Sequence, residues 1–186
     1  MGGSSNFPFI ENDVLRRNLD EAFDHILILL PFTESQSYNE PAKSAFRKTI
    51  IIYTASIVEA LLFYILDKKF SEQEVREFCA DWKLQEKKVL YVVSDAEKIV
   101  AGKYVRVLGS GNKEKMNLGM IVGFLKDKGI VSPQECSRID TLRNLRNEQH
   151  IGTHKKVPVY SKKDLEKAFS VAKEVKELTR IQCTRS

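Results

Sequence analysis

Apolar side chains recur at helical spacing through most of this chain. The first such segment runs from Asn12 to Leu30, and its apolar members fall on one side of an α-helix. They are Leu15, Leu19, Ala22, Phe23, Ile26, Leu27 and Leu30. Pro31 follows directly and predicts the end of the helix. The sequence therefore predicts an amphipathic first helix over residues 12–30, followed by a polar loop over residues 33–41.

The second helix is predicted from Pro41 or Ala42 to about Phe70. Its middle, residues 50–62, is apolar on nearly every side, which is typical of a helix in the centre of a bundle. It is not read as a membrane span, because polar residues interrupt it before about 18 apolar residues have accumulated. These residues are Tyr53, Thr54, Ser56 and Glu59. We therefore expect a buried core helix and no membrane association.

Four further helices begin at recognisable capping residues. Ser71 with Glu74 forms a capping box before a short helix over residues 72–81. Asn117 caps a helix that runs to about Lys128, where Gly129 stops it. The remaining two begin after Ser132, which is followed by Pro133 and Glu135, and after Ser161. The helix that follows Ser132 is expected to end near Gly152, so the motif described below lies in its last turns.

The segment between the third and fourth helices is less regular. Residues 88–93 and 104–108 are rich in β-branched and aromatic side chains and could pair as a small hairpin. The intervening residues 94–100 fit a helical turn equally well. Trp82 and Tyr104 in this region suit base stacking, although isolated aromatic residues more often belong to a core.

The fold class that follows is mainly all-α, an antiparallel bundle of five or six helices with room for a small β-hairpin insertion. The length of 186 residues suits one domain. We predict a flexible N-terminus over residues 1–11, a single helical domain over residues 12–180, and a flexible C-terminus over residues 181–186.

Charge and cysteine usage refine this picture. The formal net charge is +5, a weak indication of a polyanionic partner. Much of the excess lies between residues 143 and 163, where only Glu148 opposes the bases Arg143, Arg146, Lys155, Lys156, Lys162 and Lys163. The three cysteines are widely spaced, which argues against a disulfide framework or a zinc site and favours reduced thiols in a cytoplasmic protein.

One polar stretch, residues 143–150, stands out for its chemistry. On a helix, His150 falls about 20° from Arg143, because seven residues nearly close two turns. Arg146 and Asn147 flank that line, whereas Leu142 and Leu145 point towards the core. Such a face is also what an ordinary solvated helix presents. The concentration of basic charge around it favours a functional interpretation.

The pattern Leu142-Arg143-Asn144-Leu145-Arg146-Asn147-Glu148-Gln149-His150-Ile151-Gly152 resembles the signature of HEPN domains. That signature is an Arg, a polar residue directly after it, and a His after four to six residues. Arg143, Asn144 and His150 match it with six residues between the Arg and the His. The long apolar second helix with its single acid, Glu59, and the final amphipathic helix after Ser161 also look like those of the family.

The resemblance implies a compact helical bundle that forms a homodimer, in which two copies of the motif share one cleft. Many HEPN domains are metal-independent endoribonucleases of toxin–antitoxin, phage-defence or RNA-processing systems. Others have lost catalysis and bind RNA or dock partners, some beside nucleotidyltransferases. In some antitoxin-linked members a Tyr stands two residues after the His and receives a nucleotide. Here that position is Gly152, which puts this form of regulation in doubt.

The resemblance also assigns roles to residues. His150 would be the general base or acid for attack of an RNA 2′-OH on the adjacent phosphate, leaving a 2′,3′-cyclic phosphate. Arg143 would stabilise the charge of the transition state, and Asn144 would orient the phosphate or the histidine. The phosphate-binding residues would be Arg146, Lys155 and Lys156, and the supporting residues Glu59 and Asn147. Glu59 suits a pair with a motif arginine and a hydrogen-bonded core acid equally well. We expect no metal and no cofactor, since no carboxylate cluster or Cys/His set stands out.

Overall fold

The computed structural model describes residues 5–147 and 159–184. Helix accounts for 64% of the structure, and the only sheet in the described part is a two-stranded antiparallel one. The elements are α1 (Asp13–Leu29), α2 (Glu40–Lys69), α3 (Glu72–Phe78), β1 (Asp81–Ser94), β2 (Glu97–Val107), α4 (Leu118–Asp127), α5 (Pro133–Asn147) and α6 (Lys162–Thr184). Short 3-10 helices lie at Leu30–Thr33 and Lys113–Lys115. The prediction of a mainly helical protein with a small hairpin is confirmed.

The chain divides into two compact units. The first, called here the helical unit, contains Met1–Lys68 and Asn117–Ser186. The second, the hairpin unit, is Lys69–Met116 and holds α3 with the two strands.

Helix α2 forms the core of the helical unit. Eight of its apolar side chains are almost fully buried: Ile50, Ile51, Ala55, Val58, Leu61, Leu62, Ile65 and Leu66 are each at most 1% exposed. By length and composition α2 is also the one described helix that could cross a membrane, with a mean hydropathy of 2.0 over its most apolar window. More than half of that window is buried inside the protein. This burial is consistent with the core helix of a soluble protein.

The first turns of α2 are tied to distant parts of the chain by Arg47, which is only 7% exposed. Its guanidinium donates hydrogen bonds to the carbonyl oxygens of Thr33 (3.0 Å) and Tyr160 (3.3 Å) and to the carboxylate of Glu40 (3.2 Å). The backbone N–H of Tyr160 in turn donates to the hydroxyl of Ser44. The two terminal nitrogens of the buried guanidinium are therefore hydrogen-bonded, which offsets the cost of burying the charge.

Packed or helical residues of the described chain extend beyond the predicted domain limits at residues 12 and 180. Phe7 and Ile10, within the segment predicted to be flexible, are 2% and 0% exposed, and the ring of Phe7 packs edge-on against that of Phe23. Helix α6 continues to Thr184, past the predicted domain end at residue 180. Burial of two large side chains stabilises the N-terminal segment, because each adds about 1.5–3 kcal/mol of hydrophobic free energy.

The predicted helix starts are confirmed by their caps. The side chains of Asn12 and Asn117 accept hydrogen bonds from the first-turn N–H groups of α1 and α4. Three capping boxes precede α3, α5 and α6, formed by the pairs Ser71–Glu74, Ser132–Glu135 and Ser161–Asp164. Gly129 has a φ of 69° directly after α4, the left-handed conformation that ends a helix. These caps explain why the helix starts were predictable. The end of the third helix, predicted at residue 81, is wrong, because the helix ends at Phe78 and Asp81 begins β1.

The hairpin differs from its prediction in length and register. We expected short strands over residues 88–93 and 104–108, but Lys88 pairs with Ala101 and Tyr104 pairs with Leu84. The helical turn considered for residues 94–100 is wrong, because Ser94 pairs with Glu97 around a tight turn and the following residues belong to β2. The strands are exposed throughout, so no buried face produces the alternation that marks a strand in sequence.

Candidate active site

Helix α5 presents the arginines of the candidate site beside a buried stripe. Cys136, Ile139 and Leu142 are the buried side chains of this helix. Arg143 follows Leu142 and is half-buried, whereas Asn144 and Asn147 are exposed. The spacing of the apolar positions thus places Arg143 at the border between core and solvent. There the aliphatic part of the side chain can pack against the protein while the guanidinium still reaches a ligand.

The guanidinium of Arg143 is held by its own helix and by α4. Its Nη2 lies 3.1 Å from the carboxylate of Asp140, one turn earlier. Nη1 lies directly over the Cα of Gly119, so closely that a Cβ at that position would overlap it. The Nε atom is buried and has no hydrogen-bond partner among the described residues. The arginine is therefore positioned by one carboxylate and by the absence of a side chain at Gly119.

The electrostatic surroundings of Arg143 favour an anion. Gly119 belongs to the first turn of α4, where Asn117 accepts from the N–H of Met120. A helix N-terminus carries a partial positive charge, so the guanidinium and the helix end contribute the same sign of potential. Asp140 is the carboxylate that offsets this charge within α5. An approaching phosphate would interact with both positive groups.

Arg146 is joined to the second helix instead of lying free. Its Nη1 is 3.3 Å from the carboxylate of Glu59 on α2, with both side chains about one-third exposed. Of the two interpretations of Glu59, the structure therefore favours the pair with a motif arginine. A phosphate that bound Arg146 would have to share it with Glu59.

The structure brings together some of the predicted site residues and not others. Arg143, Asn144, Arg146 and Asn147 lie within the last five residues of α5, and Glu59 contacts one of them. His150, Lys155 and Lys156 lie outside the described residues. Leu142 is buried as expected, but Leu145 is only half-buried. It borders a cleft of about 400 Å³ between α5 and α6 that neither Arg143 nor Arg146 lines.

Two residues of the site were missed in the sequence. Asp140 stands three residues before Arg143, a spacing that predicts a helical ion pair, so a systematic search for such pairs would have found it. Gly119 gives no such signal, because its role depends on how close α4 and α5 approach each other. In the same region, burial raises the pKa of the Cys136 thiol, which disfavours the nucleophilic thiolate.

Comparison with known proteins adds no relative to this geometry: no family model, no curated protein and no solved structure matches the chain. Among the described residues, no group of three or more His, Cys, Asp or Glu side chains is arranged to hold a metal ion.

Proposed function

We propose that this protein is a metal-independent endoribonuclease of the HEPN type that acts as a homodimer. The observation that best supports the proposal is the fixed guanidinium of Arg143, held between Asp140 and Gly119 at the border of the core. Arg16 and Arg180 also pair with a carboxylate three residues away, but Arg143 in addition packs against Gly119 and has a buried Nε. A guanidinium that must meet the equatorial oxygens of a reacting phosphate needs such positioning, since catalysis depends on donors fixed in advance.

In the proposed reaction, His150 removes the proton from an RNA 2′-OH. The 2′ oxygen then attacks the adjacent phosphorus, and the bond to the 5′ oxygen of the next nucleotide breaks. The products are a 2′,3′-cyclic phosphate and a 5′-OH, whose proton comes from an imidazolium or from water. Arg143 stabilises the added negative charge of the transition state by paired donors. Asn144, exposed next to it, orients the phosphate.

The other residues have supporting roles. Glu59 fixes Arg146 by the 3.3 Å ion pair and so orients that arginine towards the flanking phosphate. Asn147 stands on the turn after Arg143 and is exposed. Lys155 and Lys156 contribute further positive charge for the RNA backbone. Contacts of this kind position the RNA without reading its sequence.

The proposal includes the finer points of architecture and context. The five described helices of the helical unit are taken to pack as an antiparallel bundle, and two copies to bring their motifs into one cleft in the cytoplasm. A toxin, a defence protein or an RNA-processing enzyme would fit this chemistry, with an antitoxin or a nucleotidyltransferase as a partner in the first two cases.

A non-catalytic relative that binds RNA or docks a partner is the second candidate. One observation favours it: Arg146 forms an ion pair with Glu59. A motif arginine whose role is only to join α5 to α2 would form such a pair. In that case the chain would bind RNA or protein without breaking a bond. Cleavage therefore decides between the two candidates.

The test compares purified wild type with His150→Ala and Arg143→Ala on single-stranded RNA in the presence of a chelator. Arg138→Ala is the matched control, because Arg138 lies on the same helix and also pairs with a carboxylate, that of Glu174. We expect cyclic-phosphate products from wild type and from Arg138→Ala. Loss of general acid–base help should slow His150→Ala about 100-fold or more.

The catalytic proposal is wrong if wild type leaves the RNA intact, or if His150→Ala cleaves as fast as wild type. Circular dichroism of each variant establishes that it is folded. RNA binding without cleavage would favour the second candidate. Sedimentation of wild type tests the homodimer independently.

A further inference from the structure

The hairpin has two chemically different faces. Successive residues of a strand point to opposite faces of the sheet, and residues paired across the two strands share a face. Because β2 is paired regularly along its length, its even-numbered residues with their partners lie on one face and its odd-numbered residues with theirs on the other. The face called here the cationic face carries Trp82, Leu84, Lys87, Lys98, Tyr104 and Arg106. The opposite, mixed face carries Lys83, Glu86, Lys88, Tyr91, Ile99 and Lys103.

Charge is distributed unequally between these faces. The paired positions of the cationic face, all of them described, hold three basic residues and no acid, whereas Asp81, Glu86 and Glu97 all fall on the mixed face. Glu86 lies 3.9 Å from Lys103 on that face, so its charges partly compensate each other. Only the cationic face offers an uncompensated positive surface to a polyanion.

The same face exposes two aromatic rings. Trp82 is 63% exposed and Tyr104 is 57% exposed. They occupy diagonal positions on adjacent strands, about 7–8 Å apart. Tyr104 leans over Gly102, because a Cβ built at that glycine would come within 3.2 Å of the ring. More than half of the Tyr104 residue is open to solvent, so a nucleobase can reach the ring and stack on it.

We propose that the cationic face of the hairpin binds single-stranded RNA, with Trp82 and Tyr104 as stacking platforms and Lys87, Lys98 and Arg106 along the phosphate path. Alternation of aromatic and basic side chains in a groove or on a sheet is the usual design for single strands. The choice of RNA over DNA rests on the proposed function, whereas the single-stranded polyanion follows from the face itself.

A second copy of the chain is a poorer occupant of this face. Two cationic faces packed against each other would bring like charges together, which is unfavourable at an interface. The guanidinium of Arg106 donates to the carbonyl oxygen of Glu77 at the base of the hairpin. This hydrogen bond orients the guanidinium of Arg106, although the residue as a whole is exposed to solvent.

Trp82 makes the proposal directly measurable, because it is the only tryptophan in the chain. Its emission is followed while a short 2′-O-methyl oligouridylate is added, an RNA that cannot be cut through a 2′-OH. We expect quenching, and we expect Tyr104→Ala to weaken the apparent affinity about fivefold or more. Tyr91→Ala is the control, since Tyr91 is 60% exposed on the mixed face.

The charge requirement is tested with neighbouring lysines. Lys87 pairs with Gly102 on the cationic face and Lys88 with Ala101 on the mixed face. Lys87→Gln should lower the salt dependence of binding by about 0.7 in the log–log slope, the value for one phosphate contact on a single strand. Lys88→Gln should leave the slope near that of wild type.

The proposal is overturned by any of four results: no quenching, equal effects of Tyr104→Ala and Tyr91→Ala, equal effects of the two lysine variants, or tighter binding of oligothymidylate than of the RNA. A change in sedimentation with Trp82→Ala, without a change in RNA affinity by anisotropy, would make the face an interface between copies and also overturn it. If the hairpin does not bind the oligonucleotide but the protein still cleaves natural RNA, only the hairpin proposal is wrong. If the hairpin binds RNA but the protein cleaves none, only the nuclease proposal is wrong.

Discussion

Helix α2 and the β1–β2 hairpin are built from the same kinds of side chain but differ in burial. Ile, Val, Leu and Tyr are frequent in both, yet Leu61 is fully buried and Leu90 is 56% exposed. A helix satisfies its backbone hydrogen bonds within itself and can be surrounded on all sides. A two-stranded hairpin is marginal in water unless something covers it. Apolar side chains therefore stabilise α2 because they are buried, whereas those of the hairpin remain exposed and form a surface that can bind a partner.

The largest expected difference in stability is between truncation of a leucine in α2 and truncation of a leucine in the hairpin. Leu61→Ala should lower the free energy of unfolding by about 2–5 kcal/mol, because it leaves a cavity in the core. Leu90→Ala should change it by less than about 0.5 kcal/mol, as an exposed substitution does. Urea unfolding followed by far-UV circular dichroism measures both. A large loss at Leu90 would mean that the hairpin is covered in solution.

Arginines give the next comparison. Arg47→Ala should cost about 1–3 kcal/mol, since the buried carbonyl groups of Thr33 and Tyr160 lose their donor. Arg106→Ala removes a hydrogen bond to the carbonyl of Glu77 that is exposed to water. That group can bond to water instead, so we expect less than about 1 kcal/mol. Equal losses in thermal unfolding would contradict the distinction.

A smaller, pH-dependent effect is expected at the start of α6. Burial raises the pKa of Asp164, but hydrogen bonds from the side chain and backbone of Ser161, with the nearby Lys167, lower it by more, so the pKa lies below its ordinary value. The cap therefore stabilises the fold fully above about pH 4 and loses this contribution as the pH falls through the lowered pKa. Ser161→Ala should cost about 1 kcal/mol at neutral pH.

The difference between wild type and Ser161→Ala should shrink below about pH 4 in denaturant titrations. A constant difference across that range would show that the Asp164 carboxylate contributes nothing. The matched change Ser71→Ala removes the equivalent cap from the short helix of the hairpin unit. We expect it to accelerate amide exchange in α3, whose seven residues depend strongly on their cap.

The smallest expected changes in stability are at two glycines, Gly102 in the hairpin unit and Gly119 in the helical unit. Gly102→Ala in the hairpin should be near neutral, because its new Cβ meets the movable ends of Leu84 and Tyr104. Gly119→Ala gains helix propensity, but its Cβ crowds the capping Oδ1 of Asn117 and must displace Arg143. Cleavage should then fall by up to about 100-fold. Unchanged cleavage by a folded Gly119→Ala would remove Arg143 from the mechanism.

Much of the helical fold was predictable, and the reason is local. Capping residues such as Ser71, Asn117 and Ser161 fix helix starts by hydrogen bonds within a few residues. Burial depends on distant partners and was less predictable. Leu27, assigned to the inward face of α1, is 50% exposed, because the neighbouring elements do not cover that part of the helix.

The candidate site shows the same division. The side of α5 that carries Arg143 followed from helical periodicity, and its partner Asp140 is a local pair. The pair between Arg146 and Glu59 joins residues far apart in sequence, and it was foreseen only as one of two alternatives for Glu59. The contact with Gly119 required the approach of two helices and left no trace in the sequence. His150, with Lys155 and Lys156, stays a prediction.

The pairing of the hairpin also governs how the protein behaves when it is concentrated. Each strand of a two-stranded sheet has one outer edge with unpaired backbone groups, a template for adding another strand. The edge of β1 is interrupted by three register shifts, whereas β2 is paired without interruption, and bulges spoil a template. Aggregation by strand addition would therefore grow from the β2 side, where Lys98, Lys103 and Arg106 are the charges that oppose it.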